Sequence, residues 1–260
     1  MNDALVYEFS DGLATISLSK PDRGNPIDLA LTQQLGAAVH SARQDDARVV
    51  LLRSTGPSFC FGGDIEAFAA APDPPRAVND IASTLHRALL DLVALDAVVV
   101  SAVQGVAAGA GIALAAAADI VLAAESARFV LAYTRIGYTP DGGTSLLTAS
   151  LGLHRVLHLA LLNPTLSAHD MQAAGLVTSV CADDELPAAA DEVTTTLLRG
   201  SRTAQVAAKR LIRAHALPAP EVALRREETA ITEAAGSPDG RAGIAAFLAK
   251  TPTVFPSTVD

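Results

Sequence analysis

The chain has 260 residues, half of them apolar and 18% charged, which is enough to bury the core of one large domain and too apolar for a disordered chain. Nineteen Lys and Arg against 28 Asp and Glu leave a formal net charge of -9, which argues against nucleic acid or an anionic membrane as the main partner. Two cysteines, Cys60 and Cys181, make no disulfide framework and suit a reducing, cytoplasmic compartment, and the first residues carry no signal-peptide pattern.

In chain order, Asp11-Gly12 between the alternating runs Leu5–Ser10 and Ala14–Ser19 predicts a hairpin. A helix is expected from Leu29 to about Arg43, then a strand at Arg48–Arg53. The turn-rich stretch Ser54–Gly63 leads into a short helix near Asp64–Ala70. Ala71–Pro75, with three prolines in five residues, reads as an exposed loop. Arg76–Ala94 reads as a helix with Ile81, Leu85, Leu89 and Leu92 on one stripe.

Between Asp96 and Asp119 lie 22 uncharged residues, long enough to span a bilayer. The β-branched Val98-Val99-Val100, the break at Gly105 and the Ala-rich stretch after it divide the run into a strand at Val98–Val103, a tight turn and a buried helix. No membrane span is expected. Strand signals at Asp119–Ala123 and Phe129–Leu131 follow. From about Gly143 nearly every signal is helical: Thr144–Ser150, His154–Leu161, Ala168–Ala174, Asp184–Leu198, Ala204–His215 and Glu221–Ala235, interrupted by a strand at Leu176–Val180. The expected fold class is therefore α/β, with a core over residues 1–200 and a helical region over 201–260.

Two glycine motifs carry the chemistry. Gly105-x-x-x-Gly109-x-Gly111, between a strand and a helix, has the spacing that holds a pyrophosphate in nicotinamide oxidoreductases, and close helix–strand packing explains it equally well. Tyr7, Tyr133 and Tyr138 all lack the lysine four residues on that short-chain dehydrogenases require. Ser58-Phe59-Cys60-Phe61-Gly62-Gly63-Asp64 could aim free amides at an anion, or could be a plain helix cap; Cys60 reads as a small buried cysteine. His154 and His158 are spaced like metal ligands, but no third ligand is evident and no metal is expected.

Together these motifs resemble the crotonase (enoyl-CoA hydratase/isomerase) superfamily along nearly the whole chain. Pro21–Asp28, with Asn25-Pro26-Ile27, resembles the family's lead-in to the first helix; Ser58–Asp64 resembles its Phe-Cys-Ala-Gly-Ala-Asp motif. Gln104–Gly111 resembles its glycine turn, followed by Ala118–Ile120. Tyr133–Gly143 resembles the isomerase-like run ending in Pro-Asp-Gly-Gly, and Leu162–Val177 the pattern after it. The resemblance implies a spiral of β-β-α units, a homotrimer or dimer of trimers, and a helical C-terminal region that joins subunits and covers the active site. It also implies an acyl-CoA thioester as substrate, with no separate cofactor, since coenzyme A enters as part of that substrate.

By position in these motifs, the amides of Gly63 and Ala110 would hold the thioester oxygen as an enolate forms. The two glutamates with which the family's hydratases activate water align with Ala113 and Tyr133, so both carboxylates are missing here. Asp141 stands where family isomerases carry their acid, and the implied reaction is a double-bond shift of the 3-enoyl-CoA to 2-enoyl-CoA type. His86 matches a histidine that works with an aspartate nucleophile in the family's aryl-CoA dehalogenase, although this chain has no tryptophan and a pocket-edge or packing role is the safer expectation. Phe61, Asp64, Ile65, Ala113, Tyr133 and His86 are expected around the acyl group, with Arg23, Phe247 and Lys250 towards the nucleotide. Alternatives at this stage are a 2-enoyl-CoA hydratase, an Asp141/His86 thioester hydrolase, a silent CoA-binding scaffold and, from another class, a nicotinamide-dependent oxidoreductase.

Overall fold

In the computed structural model, which describes residues 4–258, Asp11 and Gly12 both take positive φ and fold β1 (Leu5–Ser10) back on β2 (Leu13–Leu18) with Phe9 opposite Ala14. Asp28 caps α1 (Leu29–Gln44) by accepting the Leu31 amide at 2.7 Å, and the chain returns as β3 (Val49–Ser54), parallel to β2. After α2 (Ile65–Ala70) comes α3 (Pro74–Val93), whose first turn accommodates Pro74 and Pro75 from the expected loop because prolines there lose no helical hydrogen bond. Then come β4 (Val98–Val103), β5 (Val106–Ala108), α4 (Ala110–Ala116), β6 (Ile120–Ala124) and β7 (Arg128–Val130). The last part holds α5 (Thr148–Leu151), α6 (Leu153–Leu162), β8 (Leu166–Ser167), α7 (Ala168–Ala174), β9 (Ser179–Cys181), α8 (Leu186–Arg199), α9 (Arg202–Ala216), α10 (Pro220–Gly236) and α11 (Pro238–Ala249).

The main sheet has the order β1-β2-β3-β4-β6-β9 and is parallel from β2 onward, while β5, β7 and β8 form a smaller sheet. The chain twice steps from the main sheet to the small one, at β4 to β5 and at β6 to β7, which gives the β-β-α spiral. Every residue of β4 is buried. Val99 and Val103 face the core shared with α1, α3 and α4, and Val100 and Ala102 face α8 through Leu186 and Ala190. A strand covered on both faces needs an unbroken apolar sequence, so the long uncharged run belongs to the core. No helix among the described residues is long and apolar enough to cross a membrane.

Besides the short strands β5 and β8, which were not expected, two elements differ from expectation. The strand expected at Leu176–Val180 begins only at Ser179, because Gly175 ends α7 in a left-handed conformation and the amides of Leu176 and Val177 both turn back to the Met171 carbonyl. Helix α11 was not foreseen. It packs on α10 and on the 3₁₀ turn Tyr133–Ile136, while Lys209 and Arg213 fasten α9 to Asp119 at 3.0 and 2.6 Å.

Candidate active site

The loop after β3 is held as a ribbon between two neighbours. Asn25, 1% exposed and left-handed, donates its side-chain amide to the carbonyls of Thr55, Ser58 and Phe59 and accepts the Lys20 amide. Cys60 bridges to Ala107 and Gly63 bridges to Ile27, so residues 60–63 lie between the first-helix lead-in and β5. Glycine is required where they cross. A Cβ on Gly62, at φ +82°, would lie 2.7 Å from the Ala108 carbonyl oxygen, and one on Gly111 would lie 2.6 Å from that of Cys60. The helix of Ala110 and Gly111 therefore begins directly against the Cys60–Gly63 segment. Burial pushes the Cys60 thiol up to about 12, so it is a packing group and no nucleophile.

Gly63 and Ala110 line one cavity of about 130 Å³ together with Asp141. Of the residues expected around a ligand, Phe61, Ile65, Tyr133 and Phe247 also line it, and Phe68, Leu85 and Tyr138 make its apolar wall. Ala113 lies one turn further along α4 and lines a second cavity of about 340 Å³ with Gly142, Gly143 and Leu224. Asp64 is 5% exposed and caps α2, where Arg23 meets it at 3.0 Å and Glu66 at 3.3 Å. The charge of Arg23 is thus already answered by two carboxylates. Lys250 is exposed and ends α11, outside the cavity lining.

The turn after Pro140 carries the acid. Asp141 is 5% exposed, and its carbonyl accepts hydrogen bonds from the Tyr133 hydroxyl and the Thr144 hydroxyl, both at 2.9 Å. The His86 Nε2 lies 2.9 Å from the Asp141 Oδ1, with both groups buried. By strict hydrogen-bond geometry neither ring nitrogen of His86 nor the Asp141 Oδ1 has a partner, so the contact is a close approach that becomes an ion pair when His86 is protonated. His86 therefore stands in the wall behind the acid, deeper than a pocket edge.

Glu227 is the residue that sequence reasoning missed. It is 7% exposed on α10 and accepts the amides of Gly143 at 2.7 Å and Ser145 at 2.6 Å, as well as the Ser145 hydroxyl. Its signal is visible in retrospect: it interrupts the stripe Leu224, Ile231, Ala235 that buries α10. Donor atoms of His86, Asp141 and Glu227 lie within 4.8 Å of one another, close enough to share a cation. Glu227 already spends both oxygens on the turn, however, which suits holding that turn better than metal ligation.

The electrostatics agree. Burial alone would lower the His86 pKa, but Asp141, with Glu227 and Glu228 beyond it, outweighs burial and leaves it above the usual 6.5. Burial raises Glu227, against the hydrogen bonds from Ser145 and Gly143, and the Asp141 charge adds to the rise. Burial likewise raises Tyr133, helped by the charges of Asp141 and Glu227, so its hydroxyl keeps its proton and donates it to the Asp141 carbonyl.

Comparison with known proteins places this geometry in context. The model of the family described as "Enoyl-CoA hydratase/isomerase" matches residues 8–258. A protein of Rhodobacter capsulatus named "Probable enoyl-CoA hydratase" is 36% identical over 254 residues, 96% of each chain. The 1,2-epoxyphenylacetyl-CoA isomerase of Escherichia coli is 33% identical over 262 residues, 98% of this chain and 99% of its own. The crystal structure of an enoyl-CoA hydratase from Mycobacterium avium subsp. paratuberculosis superposes with a TM-score of 0.87 at 35% identity, covering 94% of this chain and 98% of that one.

Proposed function

Because the chain belongs to the enoyl-CoA hydratase/isomerase family, we propose that it shifts a double bond in an acyl-CoA thioester, from the 3-enoyl to the 2-enoyl position, with Asp141 as the proton carrier. The Asp141 carboxylate takes a proton from C2, and the electron pair moves through the thioester carbonyl to make a dienolate. The same carboxyl then returns the proton to C4, leaving the double bond between C2 and C3. The oxyanion is held by the amides of Gly63 and Ala110, and one preorganised donor of this kind is worth about 2.7–4 kcal/mol. Among the described residues neither amide donates to a backbone acceptor outside regular secondary structure, which leaves both available.

The observation that carries this reading is a single carboxylate facing an apolar cavity, with alanine and tyrosine at positions 113 and 133. Hydration of a 2-enoyl-CoA needs two groups to orient and activate water, and Ala113 and Tyr133 offer no carboxylate. A second reading is favoured by the contact between His86 and Asp141: the carboxylate would attack the thioester carbon and expel coenzyme A, whose thiolate takes the proton of His86, and the anhydride would then be cleaved by water with the neutral His86 as base. A nicotinamide-dependent oxidoreductase has no support from the family.

The test is Asp141→Asn assayed on 3-enoyl-CoA. The expected result is a fall in kcat of at least ~100-fold with KM little changed, because the proton carrier is lost and the shape is kept. Folding and ligand binding are followed in parallel by thermal melts, where acyl-CoA and not NAD(P) raises Tm. Brisk hydration of 2-enoyl-CoA with no bond shift by the unaltered protein would overturn the reading, and steady release of free coenzyme A would favour the hydrolase.

A further inference from the structure

We infer that Glu227 is a positioning residue for the acid–base centre, tethering from α10 the turn that carries Asp141 and sharing His86 with it as a counter-charge. The inference rests on the role proposed for Asp141. It begins with the turn itself. Gly142 and Gly143 have φ of +72° and +97°, and two glycines in succession hold no geometry by their own side chains. The tie comes from outside. The Glu227 oxygens accept the amides of Gly143 and Ser145 at 2.7 and 2.6 Å, and the Ser145 hydroxyl besides. On the other side, Tyr133 and Thr144 hold the Asp141 carbonyl. The acid is thus fixed from both sides, and one of the two comes from a helix some eighty residues later in sequence.

A neutral acceptor would satisfy two amides and a hydroxyl at less cost than a buried carboxylate, so the charge needs its own reason. His86 supplies one. Its donor atoms lie within 4.8 Å of those of Glu227 on α10 and of Asp141 on the turn, with Tyr133 beside that acid. The charge of Glu228, bound by Asn79, also acts on His86 from α10. On its other flank α3 packs against α1, where Gly36 lies opposite Ala88. With His86 protonated and both carboxylates ionised, the three groups carry a net charge of about -1. When Asp141 takes the substrate's proton the cluster becomes neutral, and the negative charge has moved to the thioester oxygen. Without Glu227, the same step would leave a net positive cluster buried in an apolar wall, which opposes it.

The test compares Glu227→Gln, which keeps volume and loses charge, with Ser145→Ala, which removes one tie and no charge. The His86 midpoint is read by NMR on histidine-labelled protein, assigned against His86→Gln. For Glu227→Gln the expected results are a lower His86 midpoint, a shifted limb in the pH profile of kcat/KM, and kcat reduced at least ~10-fold with KM within ~2-fold. For Ser145→Ala the expected result is an unmoved midpoint with kcat reduced ~3-fold or more. An unmoved His86 midpoint in folded Glu227→Gln overturns the inference whatever reaction the protein performs. Should Glu227→Gln fail to fold, Ser145→Ala decides: unchanged kcat overturns the inference and a lowered kcat at constant KM supports it. A lowered midpoint in a protein that shifts no double bond upholds the electrostatic link and removes the reaction assigned to Asp141.

Discussion

Asp141 was visible in the sequence, His86 only through the family resemblance and with a pocket-edge or packing role, and Glu227 not at all, for a physical reason. An acid inside Pro-Asp-Gly-Gly stands out because glycine pairs mark a close approach. His86 lies beside a helical stripe, and Glu227 looks like any charged residue until the helix face is known. The cluster makes stability depend on pH in a definite sense. The His86 pKa is raised on folding, so its contribution is complete below the unfolded value of 6.5 and is lost as pH rises through the folded one. Glu227, also raised, acts the same way from about 4.5 upward, because the folded state holds the proton more tightly. Tm is expected to fall from mildly acidic to alkaline pH, and His86→Gln to flatten the part above 6.5. Melts of both proteins across that range check it; parallel curves would show that His86 is not the source.

At the level of elements, the strand β4 and helix α4 could be read from composition, whereas α11 could not. The glycines that made its sequence look unlike a helix are those its packing demands. A Cβ on Gly240 would meet the Ala234 carbonyl oxygen at 2.1 Å, and one on Gly243 that of Ile136 at 2.2 Å. Glycines elsewhere can be sorted by the same geometry. Gly111→Ala would push a methyl to 2.6 Å from the Cys60 carbonyl oxygen, which is backbone and cannot swing away. It is expected to cost roughly 1–3 kcal/mol and to disturb turnover. Gly36→Ala, in mid-helix with its nearest atom 4.0 Å away, is expected to add roughly 0.4–1 kcal/mol. Urea denaturation of the pair checks both, and equal effects would refute the argument from close approach.

Across the whole molecule, the β-β-α spiral follows from the alternation of strands and glycine turns, but the assembly of the site depends on contacts between distant segments. Helix α10 reaches the Asp141 turn and α11 brings Phe247 to the cavity that Asp141 lines. The exterior leaves apolar side chains uncovered: Leu161 and Leu162 on α6 are 65% and 71% exposed, and Leu211 and Ile212 on α9 are 75% and 65% exposed. Patches of this kind are costly in water and suit burial between subunits. The expected assembly is a homotrimer or a dimer of trimers. Light scattering at micromolar concentration checks it, and the mass of a single chain would refute it.

Asp141 is 5% exposed, and behind it His86 and Glu227 are 4% and 7% exposed. In the proposed reaction, a proton lifted onto that carboxylate is expected to be shielded from bulk solvent for as long as the dienolate lives. If the reaction is the proposed bond shift, it leaves an isotopic record. In heavy water the hydrogen removed from C2 is the one delivered to C4, so early product from unlabelled substrate carries well under one deuterium per turnover. Full labelling at the first turnover would mean that water reaches the acid faster than carbon does.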